Sequence, residues 1–172
     1  MSFQPKFVER REVRGELHAC SGPEWLVGIG FRCWLAGYDT GDITCWENGW
    51  KTFNRVLGPA RAKRAVTELA CWVRAMRAAA SRKIEYNSLE ARRFCTDECM
   101  AMSLIAASQH HRCPAMQACA LALTGSDTVD SVIDAANAFA DALDEAEYRL
   151  NQEIVAELIA FQARAHGCSI SV

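Results

Sequence analysis

Apolar positions along this chain recur at steps of three and four residues wherever a period can be read, and no longer segment alternates as a half-buried strand between hairpin turns would. The pattern predicts an all-α fold, a multi-helix bundle of five to six helices. A first helix spans Glu24 to Tyr38, opening behind Ser21, Gly22 and Pro23 and closing at Gly37 with the Asp39-Thr40-Gly41 turn. A second runs from about Asp42 to Leu57. Gly58-Pro59 then breaks the chain, and a third helix carries the stripe Ala62, Val66, Leu69, Val73, Met76 and Ala80.

Lys83 to Ser88 is polar and aperiodic and reads as a connection. Thr96, followed by Asp97 and Glu98, reads as the N-cap of a fourth helix reaching His110, because acidic side chains suit the positive end of a helix. Pro114 opens a short fifth helix with the stripe Met116, Cys119 and Leu123, and Gly125 ends it. Thr128 is the expected cap of the last segment. From Val129 to Ala165 there is no Gly or Pro, and Val132, Ala136, Phe139, Leu143, Ala146, Leu150, Ile154, Leu158, Phe161 and Ala165 keep the helical step. That stretch is either one long amphipathic helix or a helical hairpin broken near Asp144 to Asn151.

The chain of 172 residues is the size of one domain. Within it, residues 1–22 read as an N-terminal arm, 23–82 as aromatic and basic helices, 83–125 as a Cys-rich helical hairpin and 126–166 as the long acidic helix. The net charge of −2 conceals a division: Pro59 to Arg93 holds nine Lys/Arg against three Glu, and Ser126 to Ala160 holds nine Asp/Glu against Arg149 alone. Basic and acidic helices are therefore expected as neighbours, in one subunit or across a dimer. A nucleic-acid surface on the basic segment is the disfavoured reading, since it lacks aromatic interleaving, a recognisable turn motif and an overall basic excess. The long alanine-rich apolar seam predicts a homodimer, with a monomeric bundle as the alternative.

Nine cysteines, an odd number without regular spacing, suit thiols in a reducing compartment rather than a disulfide framework. The N-terminal stretch has no apolar core of a secretory signal, and no uncharged apolar run approaches the roughly 18 residues of a membrane span. A cytoplasmic protein is expected.

Candidate chemistry concentrates in one place, CTDECMAMSLIAASQHHRCPAMQAC, with Cys95, Cys99, Cys113 and Cys119 as candidate metal ligands and His110 and His111 as alternates. Cys95 and Cys99 share a helical face, and a helical hairpin could bring the four thiols to one zinc, copper or iron–sulfur centre. The spacing C-x3-C-x13-C-x5-C follows neither a zinc knuckle nor a ferredoxin-type run, and a small buried thiol is an ordinary core residue. Cys113, beside His111 and Arg112 at a helix end, is the candidate reactive thiol. His110 and His111 also suit the negative end of a helix.

A second candidate is an aromatic pocket of Trp25, Trp34, Trp46 and Trp50, although core or interface packing is the favoured reading, with Gly28 and Gly30 allowing close helix approach. No Glu-x-x-His pair, Gly-rich phosphate loop, G-x-S-x-G element or HExxH is present. The sequence thus predicts a helical interaction or scaffold protein that receives a protein partner on its aromatic third or its basic helix. The alternative is a metal-, cluster- or redox-sensing protein using the 95–119 thiols. An enzyme is the less supported class, because no nucleophile, base and orienter can be placed together.

Overall fold

The computed structural model describes residues 22–153, and among them there are six α-helices and no strand. They are α1 (Pro23–Thr40), α2 (Ile43–Leu57), α3 (Pro59–Ala79), α4 (Thr96–Gln109), α5 (Cys113–Thr124) and α6 (Asp130–Glu145). The N-terminal arm through residue 21, with Cys20, and the C-terminal part of the apolar stripe, Ile154 to Ala165, lie outside the described residues.

Helices α1, α3, α4 and α6 form the centre of the bundle, with α2 packed against α1 and α3, and α5 packed mainly against α4. Twelve of the 14 residues of α4 are buried, from Asp97 through Gln109 with Cys99 alone only partly so among them. An apolar surface on every side is what suits a helix to the interior position. At the middle of the core Trp72 stacks on Phe139 at 5.7 Å between ring centroids and tilts against Phe31 at 5.7 Å, while Phe53 reaches Phe139 at 6.4 Å. One aromatic group therefore ties α1, α2, α3 and α6 together, and Trp72 is fully buried.

Basic α3 and acidic α6 are the most extensively packed helix pair. Arg64 pairs with Glu145, and Arg61 reaches Glu147 at 3.7 Å. The charge division of the sequence is thus matched within one chain. The apolar stripe of α6 (Val132, Ala136, Phe139 and Leu143) is buried, and α3 and α4 are the main helices packed on it. The described part of the seam from which a dimer was expected is thus covered within the chain, and Ile154 to Ala165 lie outside the described residues.

Several ends differ from expectation, each for a physical reason. Gly37 does not close α1 but lies buried inside it, and Gly41, at φ 71°, provides the left-handed stop. Trp46 of α2 lies against Gly37, where a Cβ would sit 2.5 Å from the indole, and Trp34 of α1 occupies the matching notch at Gly49. Two indoles set in two glycine notches zip this helical hairpin. Gly28 and Gly30 do allow close approach, to Phe94 and Met102 and to Phe53 and Leu69 respectively. Cys95, not Thr96, is the N-cap of α4, because the Glu98 carboxylate turns back to accept from the Cys95 N–H at 2.7 Å. Thr128 does not cap α6: the N-cap is Val129, and the Thr128 hydroxyl bonds Ser126 at 3.0 Å.

The last helix stops at Glu145, so the alternative of a break between Asp144 and Asn151 is the one adopted. Tyr148 N–H donates to Leu143 O and Glu147 N–H to Asp144 O, both at 2.9 Å, with Glu147 left-handed at φ 59°. That is a Schellman stop made without glycine. The end of α4 repeats it: Arg112 N–H bonds Ala107 O at 2.9 Å, His111 N–H bonds Ser108 O at 3.2 Å, and His111 has φ 52°.

These geometries give opposite signs for opposite glycine exchanges. Gly37→Ala and Gly49→Ala are expected to destabilise the protein by about 1–3 kcal/mol each through overpacking. His111→Gly and Glu147→Gly should stabilise it by up to about 1 kcal/mol by relieving left-handed backbone. Urea denaturation of the four variants reads both signs.

Candidate functional site

The most elaborate polar centre is buried where α1 meets the start of α4. Arg32 and Glu98 are both fully buried. Arg32 Nε donates to Glu98 Oε1 at 2.5 Å and Nη2 to Oε2 at 3.1 Å, a two-pronged pair. The remaining guanidinium donors reach Ala91 O at 2.7 Å and Arg93 O at 2.9 Å, and the ring of Phe94 lies 4.9 Å from the guanidinium carbon. Glu98 accepts in addition from the backbone N–H groups of Cys95 at 2.7 Å and Asn87 at 3.4 Å. The charges are matched here and each side-chain nitrogen of Arg32 has an acceptor, which is what permits burial.

Asp97 forms the neighbouring pair. It takes both Arg82 Nη groups at 2.7 and 2.8 Å and accepts from Glu85 N–H at 2.8 Å. With its bonds to Ala122 O and Lys83 O, Arg82 has all five N–H groups engaged. Residues 80–95, which contain no helix, are held by these two arginine–carboxylate pairs together with Ser81 N–H to Thr124 O at 2.9 Å and buried Ile84. The acidic residues that resembled ordinary first-turn acids are therefore structural anchors. Nothing in the local sequence distinguishes them, because their partners lie 15 and 66 positions away.

The thiols are dispersed. Cys119 is buried on the core side of α5, as its stripe predicted, and Cys113 is exposed at the start of the same helix. Cys95 and Cys99 are partly buried, and each influences its surroundings differently: Cys95 Sγ donates to Glu85 O at 3.4 Å, whereas Cys99 packs on the core. His110 Nε2 is joined to Leu150 O at 2.9 Å, and His111 forms the left-handed turn. Among the described residues no three His, Cys, Asp or Glu side chains are grouped so as to hold a metal ion. Burial, then Cys95 and Glu98, pushes the Cys99 thiol up to about 11; burial alone does the same for Cys119. A second pair, Cys33 of α1 and Cys45 of α2, was not singled out from sequence. Both are buried, and burial followed by the neighbouring Cys45 raises Cys33 to about 11.

The tryptophans divide as well. Trp34 and Trp46 fill the glycine notches, Trp25 is half-buried, and Trp50 is exposed. An open cleft of about 160 Å³ lies elsewhere, between Leu35, Asp39, Arg77, Arg82 and Ile84, and is small beside ligand pockets of about 300–1,000 Å³. Its charges satisfy one another: Arg77 reaches Asp39 at 3.3 Å and lies over Tyr38, and Arg82 has no donor left.

The outer face of α2 is different. Ile43 and Trp50 are the exposed large apolar residues among those described, at 63% and 37% exposure, and two helical turns place them on one stripe. Glu47 lies between them and pairs loosely with Lys51 at 4.0 Å. No family model, no curated protein and no solved structure matches the chain.

The thiol environments predict a wide separation in reactivity. In the native protein at pH 8, Cys113 should react with a thiol reagent at the rate of an open thiol, while Cys33, Cys99 and Cys119 react only through unfolding. Because their folded pKa values near 11 exceed the unfolded value of 9.0, their contribution to stability is complete below pH 9 and is lost as pH rises from 9 to 11. Site-resolved labelling by mass spectrometry with and without denaturant checks this.

Proposed function

We propose that the protein is a helical interaction or scaffold protein of the cytoplasm that acts as a homodimer, with the outer face of α2 as its docking surface. The observation that carries this reading is the pair Ile43 and Trp50, exposed two turns apart on a helix whose inner face is fully engaged by α1 and α3. An exposed tryptophan beside an exposed isoleucine is the composition of an interface core, and charged residues flank it as a rim.

Charge chooses a second copy as the occupant. Glu47 and Lys51 stand four residues apart on one flank of the stripe. When two such helices pack antiparallel about a two-fold axis near residue 49, the same flanks face each other, so each Glu47 meets the other copy's Lys51. In that register the two Trp50 side chains lie beside the axis, and each Ile43 falls at the Asn54–Leu57 turn of the other copy. The interface is one short helix wide, so the dimer is concentration-dependent. The free state of the seven described cysteines supports a reducing compartment, and none of the helices described is long and apolar enough to cross a membrane.

Sedimentation or light scattering across micromolar concentrations should show a reversible monomer–dimer equilibrium. Glu47→Lys and Lys51→Glu alone should each weaken it at least tenfold, and the double exchange should restore it. A monomer at all concentrations, or singles without effect, overturns the proposal.

A further inference from the structure

We propose that the stop of α6 is a conditional one, a latch that holds residues 146–151 in a turn although their own sequence encodes helix. Three observations meet there. Ala146-Glu147-Tyr148-Arg149-Leu150-Asn151 contains no Gly or Pro, and Leu143, Ala146 and Leu150 continue the stripe of α6 without a change of step. The turn nevertheless forces Glu147 to φ 59°, a conformation that the sequence does nothing to favour. The bonds that hold it come from distant elements. The Gln109 side chain at the end of α4 bonds the segment twice, Nε2 to Tyr148 O at 3.1 Å and Oε1 from Leu150 N–H at 2.8 Å. His110 Nε2 bonds Leu150 O at 2.9 Å, and Glu24 at the start of α1 accepts from Asn151 N–H at 2.7 Å.

The charged residues are arranged for an exchange. In the latched form Glu145 pairs with Arg64, Glu147 with Arg61, and Arg149 Nε with Asp144 at 3.0 Å. Continued as a helix, the segment brings Glu145 and Arg149 into the favourable i, i+4 order and frees Glu147 from left-handed backbone. It then releases Gln109, His110 and Glu24 and withdraws Leu150, now 2% exposed, from its seat. The two arrangements trade tertiary hydrogen bonds for helical ones, which is the condition for a bistable element. The latch joins the ends of α1, α4 and α6, and its release lengthens α6 by about two turns.

The test is NMR of the full chain with the Gln109→Ala variant and the milder surface variant Glu24→Ala. Carbon-13 Cα shifts of residues 146–151 are expected to move towards helical values in both, further in Gln109→Ala, and adding Glu147→Gly should reverse the movement. Shifts that move to coil values, or stay unchanged, in Glu24→Ala overturn the proposal, whether or not Gln109→Ala folds.

Discussion

A guanidinium and a carboxylate buried with no exposure, Arg32 and Glu98, set the condition that the rest of this bundle meets. Neither charge is tolerable without the other in such surroundings. The pair leaves Arg32 donors over, and these are satisfied only because residues 91 and 93 present their carbonyls to it. It leaves Glu98 lone pairs over, and these cap the first turn of α4 through Cys95 N–H. One ion pair thereby fixes the path of a long irregular connection and the start of the central helix. Gly28 completes the arrangement, since only a residue without a side chain admits Phe94 beside α1 over the guanidinium.

Around this centre the helices are joined by shape more than by charge. Trp34 and Trp46 exchange places with Gly49 and Gly37 across the α1–α2 hairpin, and the Phe31, Phe53, Trp72 and Phe139 group binds that hairpin to α3 and α6. The ion pairs between α3 and α6 are exposed and contribute little to stability, but they select which helices run together. With the core closed in this way, burial pushes the Cys33 and Cys119 thiols up to about 11, and on the outer side of α2 Ile43 and Trp50 stay exposed.

The helices were legible in the sequence because proline and glycine stand at their ends and the apolar step is regular: Pro59 opens α3, Gly125 at φ 67° closes α5, and Met116, Cys119 and Leu123 are buried as their spacing implies. Long-range partnerships were not. Glu98 resembles any acidic residue in a first helical turn, and Gly37 resembles a stop until Trp46 is seen to lie on it. The end of α6 was legible only as two alternatives, since a Schellman stop at Glu147 is imposed by Gln109, His110 and Glu24 rather than by a local glycine. Of the candidate site residues, the burial of Cys119 was readable from helical spacing, whereas the exposure of Trp50, expected inside an aromatic group, was not. The dispersal of Cys113 and Cys119 needed the packing of α5 on α4, which no spacing rule supplies.

The dependence of the fold on the buried pair is tested most directly by a double-mutant cycle in urea. Arg32→Met and Glu98→Gln should each lose about 3–5 kcal/mol, because each leaves the other group buried without its partner. The combined variant should fall short of the summed losses by at least about 2 kcal/mol. Additive losses, within about 0.5 kcal/mol, would contradict the account.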